Sequence, residues 1–501
     1  MSMLFDALVA GDDDGVVRAL REGTDPEARE DGETALYRAA VANRPVAVRL
    51  LLAAGADPAR TSGEDDGDLP LCGAACGGHT EVVRALLAAG AEPDQEEAYG
   101  FTALAWAVRL GHTGVARALL EAGASPGRPG PDGLAPLVAA ARRGSASLVR
   151  VLLDHGADHR EEALDEARRW IGADMAGVLR RGLVESGGTA ETYEAVVRRV
   201  PEDGGVTVVV ELLREDGAPT RGDERQTGHA AIATLLERAL GIRVPPEELA
   251  GRALRCGDPE QDDWTTAVAA LADRADEHTF VTAAAWCADR DPLRRALGAR
   301  VLGALTDWTG SAVPVLRRLA AECATDGPAR QDAPEPALSV AIALGRCGDA
   351  GAVGELLGLA GHPAAEVRQQ VAAALAGLVP AGHPQAARVL VTLSRDAEAR
   401  VRDWAALALG ELPDDTPLVR EALAARLADP DPETAAEAAR GLAIRQDPRA
   451  VEALARILAD SAPDDPARET ALAALEHLRD PRVRTRLEWT TPRCRQVASG
   501  E

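Results

Sequence analysis

Few residues in this chain are placed to do chemistry. Cys72 and Cys76 stand one helical turn apart, a spacing that would let two thiolates share a metal ion or that simply sets small residues along a packed helix. Asp258, Glu260, Asp262 and Asp263 gather before a helix and could offer oxygens to a divalent cation, although the dipole of a helix N-terminus draws acids there without any ion. Gln226-Thr227-Gly228-His229 holds a lone Gly-His, which reads as the start of a helix rather than a catalytic site. No lysine exists for a phosphate-binding loop, and the sequence has no His-Glu-x-x-His, Gly-x-Ser-x-Gly or Cys-x-x-Cys. Nothing organises a nucleophile. No catalytic residue, cofactor or metal is expected, and the chain reads as non-enzymatic.

The elements that would position side chains repeat. A Leu within a Thr-Pro-Leu-like tripeptide returns at Leu36, Leu71, Leu104 and Leu137, at intervals of 35, 33 and 33 residues. A Gly-Ala pair returns in step at Gly55-Ala56, Gly90-Ala91, Gly123-Ala124 and Gly156-Ala157. One unit therefore holds a helix start, two helices and a stop. Thr34 and Thr102 are predicted to cap first helices, and the Gly of each pair to end the second helix in a left-handed conformation. Leu69 and Ala135 replace the capping Thr, a loss of about 1 kcal/mol each.

The run Asp31-Gly32-Glu33-Thr34-Ala35-Leu36-Tyr37-Arg38-Ala39-Ala40, followed by Val48 to Pro58, resembles an ankyrin repeat. Further copies cover about 66–94, 99–127 and 132–160, and a degenerate unit about 3–26. The family's His after the tripeptide is absent, with Tyr37, Cys72, Ala105 and Val138 in its place. Residues 1–183 are predicted to form an ankyrin solenoid of five repeats closed by a cap, because a stack must end on a polar face.

Further on, Asp429-Pro430-Asp431-Pro432-Glu433, Ala435 to Leu442 and Asp447 to Leu454 resemble the short HEAT-like repeat of the phycobilisome-lyase type. Leu302, Leu344, Leu375, Leu409, Leu442 and Leu475 mark six units over 263–490, the second with an insertion around Thr325–Pro334, before a tail at 491–501. In such repeats the Arg opening the second helix meets an Asp of a neighbouring loop; Arg368 and Arg402 match that position, with Asp396 or Asp429 as partners. HEAT-like hydroxylases hold iron with His-Glu dyads, but this sequence has only the reverse order, Glu277-His278 and Glu476-His477.

Between the two lies a connector, 184–262, which breaks at Ser186-Gly187-Gly188. Val206 to Leu212 is β-branched, follows Asp203-Gly204-Gly205 and faces Tyr193 to Val200, which predicts a β-hairpin, with a helix as the competing reading. Thr227 is predicted to cap a helix through Leu240, Pro245-Pro246 to open another and Gly257 to close it. The fold class is thus mainly α: an ankyrin stack, then a HEAT-like stack, joined by a small mixed connector.

Composition agrees. Hydrophobic residues make up 46% but aromatics only 3%, which suits thin helical layers filled by Ala, Leu and Val. Every basic residue is Arg and Asn43 is the only Asn, a bias that reads as GC-rich bacterial coding. The net charge of −25 works against a polyanionic partner, and each third of the chain is net acidic. Seven cysteines without framework spacing read as reduced thiols in the cytoplasm. The first residues lack the pattern of a signal peptide, and no apolar run is long enough to span a bilayer.

The ankyrin resemblance implies that partners meet the hairpin tips and the exposed side of the first helices. Those positions change along the stack. The first two copies offer Glu30, Asp31, Glu33, Asp65, Asp66 and Asp68; the third offers Tyr99, Phe101, Trp106 and Arg109; the fourth offers Arg142 and Arg143. Large rings amid polar contacts are typical of an interface centre, while the alternative has Trp106 filling a seam and Tyr99 and Phe101 packing the hairpin. In the second solenoid Trp404 either anchors a partner on the concave face or packs within its hairpin. The chain is expected to be a scaffold or adaptor for other proteins, binding neither nucleic acid nor membrane. Rivals are a chromophore-attaching lyase and a nucleic-acid binder.

Overall fold

A computed structural model describes residues 3–63, 67–186, 194–202, 204–214, 217–325, 333–462 and 464–489. Asp65, Asp66, Gly187, Gly188, Tyr193, Asp203, most of the Thr325–Pro334 insertion and the 491–501 tail lie outside them. The chain divides into two compact units, Met1–Ala267 and Val268–Glu501.

The first unit begins with six helix pairs. Met3–Ala10 and Asp13–Arg21 lead; Ala35–Val41 with Pro45–Ala53, Pro70–Cys76 with Thr80–Ala88, Ala103–Leu110 with Thr113–Glu121, and Pro136–Arg143 with Ala146–Asp154 follow; Arg160–Trp170 and Met175–Glu185 close the row. Local chemistry sets their ends. Thr34 Oγ1 accepts from Tyr37 N and Thr102 Oγ1 from Ala105 N, each at 3.2 Å. Leu69 and Ala135 make no such bond, but Pro70 and Pro136 follow them. A proline there removes one unpaired N–H and presets φ, which offsets part of the missing cap. Gly55, Gly90, Gly123 and Gly156 stop the second helices at φ of 100°, 94°, 94° and 80°. The four recurring leucines are buried in one continuous core of Ala, Leu and Val. His79 and His112, at the starts of their second helices, bond back to the Val41 and Cys76 carbonyls of the preceding pair, each at 3.0 Å.

The expected hairpin is a three-stranded antiparallel sheet, Glu194–Glu202, Gly205–Leu213 and Pro219–Gln226, in sequence order. Val208 and Val210 of the central strand pack on Leu179 of Met175–Glu185. Val209 stands opposite Glu224, and Glu211 opposite Gly222. Thr227 does not cap the next helix. Its Oγ1 accepts from Val206 N at 3.2 Å, extending the sheet, and His229–Ala239 starts from Gly228 with no side-chain cap. Pro246–Cys256 then ends at Gly257, φ 71°, as the sequence predicts.

In the second unit the helices Pro292–Ala304, Glu335–Cys347, Ala365–Leu375, Ala399–Glu411, Pro432–Ile444 and Pro466–Leu475 pack successively on one another. The six marker leucines are buried. Small residues let the backbones approach: a Cβ on Gly303 would lie 2.6 Å from Ala343 Cα, and one on Gly410 3.2 Å from Gly441 Cα. The arginine ladder is present. Arg368 reaches Asp396 through Nε at 2.7 Å and Nη2 at 2.9 Å, and Arg402 reaches Asp429 at 3.0 and 2.8 Å. Each also donates Nη1 to two carbonyls of its own loop, His362 and Pro363 for Arg368, Asp396 and Ala397 for Arg402. These bidentate pairs fix loop to helix from unit to unit.

Candidate functional site

A groove of about 790 Å³ opens in the first unit. One wall is made by first helices of the third and fourth repeats, through Ala105, Arg109, Ala139 and Arg142, with the hairpin residues Gly130 to Asp132 at its rim. The other wall is the sheet, through Val209, Glu211 and Gly222 to Arg225, together with Leu183 of the closing helix. At 300–1,000 Å³ such a space has the size of a ligand cleft.

Phe101 and Trp106 stack with ring centroids 4.2 Å apart and planes 17° off parallel. Trp106 packs against the core and donates Nε1 to Glu97 Oε1 at 2.7 Å. Burial, opposed by that hydrogen bond, raises the Glu97 carboxyl above its ordinary range. The Arg109 guanidinium lies 5.6 Å from the Phe101 centroid, a cation held on an aromatic face. Tyr99 stands apart at the hairpin tip, 73% exposed. The structure thus joins Phe101, Trp106 and Arg109 into one stack and leaves Tyr99 outside it.

The basic end is already engaged. Arg143 is only 8% exposed and donates to Glu224 at 2.7 Å and to the Arg109 carbonyl at 2.9 Å. Arg142 pairs with Glu166 at 2.9 Å while lining the groove. At the acidic end, Glu30 and Glu33 hold Arg38 at 3.1 and 2.9 Å. Asp68 exchanges backbone bonds with Ser62 at 2.8 and 2.9 Å, tying down the hairpin below Tyr37. Burial, then Asp68 and Glu33, push the Tyr37 hydroxyl up to about 12.

Behind the sheet, His229 is 1% exposed and stacks on Trp170 at 5.6 Å, with Arg225 on the same indole at 4.9 Å. Burial lowers His229 to about 4, so the imidazole is neutral at pH 7. Gly144, φ 84°, meets this layer so closely that a Cβ would fall 2.0 Å from the Gln226 carbonyl oxygen.

The acids before Asp262–Ala272 have separate tasks. Asp262 takes Arg150 at 2.6 and 3.2 Å, Asp263 accepts from Ala231 N at 2.7 Å, and Asp258 accepts from Glu260 N at 3.0 Å. Cys72 is buried against the Phe101 carbonyl, and burial raises its thiol well above the ordinary range, while Cys76 is exposed. Among the described residues no group of His, Cys, Asp and Glu could hold a metal ion. In the second unit Trp404 is half-buried on Ala399–Glu411. Its neighbour Asp403 keeps one carboxylate oxygen buried and without a hydrogen-bond partner. Sequence reasoning passed over Asp403, and also Glu224 and Gly222, which enter the groove only through the sheet.

The family described as ankyrin repeats (3 copies) matches residues 4–97 and 59–129, and the single ankyrin repeat matches 132–162. HEAT repeats match 329–410 and 419–491. The N-terminal part therefore carries ankyrin repeats and the C-terminal half HEAT repeats, both typical protein-interaction modules. The match is to HEAT repeats in general, without the phycobilisome-lyase type. A search of curated proteins found no match. Among the described residues no helix is long and apolar enough to cross a membrane.

Proposed function

We propose that this chain of ankyrin and HEAT repeats is a cytoplasmic, non-catalytic adaptor that captures partner proteins on its repeat surfaces. The observation that carries the reading is the Phe101–Trp106–Arg109 stack, whose Phe101 and Arg109 line a 790 Å³ groove while Trp106 packs behind them on the core. Aromatic and arginine side chains already held in place lose little entropy when a partner docks. A lyase would need a residue that activates a chromophore or its acceptor, and the HEAT pattern supplies none. A nucleic-acid binder would have to overcome the net charge of −25.

The test uses side chains whose loss leaves the core alone. Full-length chain carrying Tyr99→Ala and Arg109→Glu serves as bait beside the unaltered chain, with partners identified by mass spectrometry. Proteins retained by the unaltered chain and lost from the variant, at equal melting temperature, support the reading. Equal capture by both removes the groove from it. Phe101 and Trp106 are kept, because Trp106 packs on the core and its removal would confound binding with stability.

A further inference from the structure

We propose that the edge of the strand Pro219–Gln226, open at Gly222 and Glu224 and closed at Gln226 by Gly144, accepts an extended acidic segment of a partner protein as a fourth strand, with a carboxylate of that segment on Arg109. The inference rests on the adaptor reading and names the chemistry of what the groove takes.

The phase of the sheet exposes the edge. Thr227 N donates to the Val206 carbonyl at 3.0 Å. Antiparallel pairs alternate between bonded and non-bonded, so Arg225 and Asp223 face the central strand while Gly222 and Glu224 turn N–H and C=O away from it. Both outward residues line the groove. Gly222 makes no hydrogen bond outside the sheet among the described residues. Glu224 N is held by Asp223 Oδ1 at 2.9 Å, the place a partner's carbonyl oxygen would take. Such unpaired rows are templates for another strand.

Charge and shape choose the occupant. Arg142 and Arg143 already meet Glu166 and Glu224, and Arg225 lies 3.8 Å from Asp223. Arg109 is exposed, and among the described residues no carboxylate pairs with it. An incoming acid completes it. Phe101, Ala105, Val209 and Leu183 give apolar contact to side chains alternating with that acid. A nucleic acid could meet Arg109 through phosphate, but it has no amide and carbonyl row to match the edge. A second copy pairing edge to edge would bring only the polar residues of this same strand, with none of the large apolar side chains that Phe101, Ala105, Val209 and Leu183 can receive.

The experiment pans the full chain against displayed random peptides, then measures synthetic versions by fluorescence anisotropy. Selected peptides are expected to carry Asp or Glu with apolar residues at two-residue spacing. Gly222→Pro removes an outward N–H and spares the sheet, so its melting temperature stays while peptide affinity falls about tenfold, the scale of one or two net hydrogen bonds. Arg109→Glu is expected to weaken the same peptides at least as much. Hydrogen exchange across 219–226 should slow on binding, a readout that holds even if the proline variant folds poorly. Peptides sensitive to Arg109→Glu but not to Gly222→Pro, with unchanged exchange, would overturn strand addition and leave the adaptor groove standing. Failure to select any peptide, or peptides indifferent to both variants, would overturn the proposal, as would a dimer that Gly222→Pro dissolves.

Discussion

Arg143 and Glu224, 81 residues apart, meet at 2.7 Å and join the fourth repeat's first helix to the outer strand of the sheet. This contact, with Arg143 nearly buried, makes a two-walled groove out of what would be an open ankyrin surface. Arg143→Ala is expected to cost about 2 kcal/mol, because Glu224 and the Arg109 carbonyl lose their donor. Urea denaturation measures it. A midpoint equal to that of the unaltered chain would mean the sheet is held by other contacts.

Gly144 supplies a sharper test of the same junction. Both Gly144 and Gly123 have left-handed φ, 84° and 94°, but a Cβ at Gly123 meets nothing within 4 Å, whereas one at Gly144 strikes the Gln226 carbonyl. Gly123→Ala should therefore cost about 1 kcal/mol of backbone strain. Gly144→Ala should cost clearly more, and equal losses would show that the close approach does not exist in solution.

In the second unit Arg445, 7% exposed, donates to four carbonyls: Gly410 and Gly441 through Nη1, Leu409 and Leu412 through Nη2, all within 3.0 Å. It closes the ends of two neighbouring helices at once. Arg445→Met is expected to destabilise this unit by about 3 kcal/mol, since buried carbonyls are left unpaired. Arg445→Lys should recover little, because an ammonium cannot reproduce the planar fork. Chemical denaturation of both variants distinguishes lost hydrogen bonds from lost charge.

Asp403 predicts a pH dependence. Burial first, then Glu437, Glu433 and Asp431, pushes its carboxyl up to about 7 from 3.8. The folded state then binds a proton more tightly than the unfolded chain, so this contribution to stability is full below about pH 4 and is lost as pH rises through about 7. Asp403→Asn should match the unaltered chain near pH 4 and melt at a higher temperature near pH 8. Calorimetry showing the same difference at both values would contradict the assignment.

What could be read from the residues alone was what each unit supplies to itself. Thr34 caps the helix it precedes and Gly55 ends the helix it follows, so short-range chemistry repeated with the period was enough; the pairing of Arg368 with an Asp of the neighbouring loop was implied by the resemblance to HEAT-like repeats. The third strand was missed because Pro219 to Gln226 is polar, has Gly222 in its midst and lacks alternating apolar residues; its partner strand, not its composition, makes it a strand. Thr227 was misassigned for the same reason, since the sheet competes for its hydroxyl. Arg143 was expected on an exposed face, and its burial depends on Glu224, a partner that no period could indicate. Tyr99, Phe101 and Trp106 were legible as rings close in sequence, while the stacking of Phe101 on Trp106 and the separation of exposed Tyr99 from both follow from how the hairpin folds.

The contact of Gly144 with Gln226 also bears on how the protein can change over evolutionary time. Repeat arrays lengthen and shorten by duplication and loss of whole units, which neighbours tolerate because every junction is alike. Here the fourth full copy differs in what its first helix ends against: Gly144 meets a backbone carbonyl and a histidine supplied from outside the array, whereas its equivalents Gly78 and Gly111 meet His112 and Arg143, side chains of the next copy. An added or lost unit upstream would present the same kind of side chain to its neighbour, whereas a change at the fourth copy would have to rebuild the contact of Gly144 with the Gln226 carbonyl.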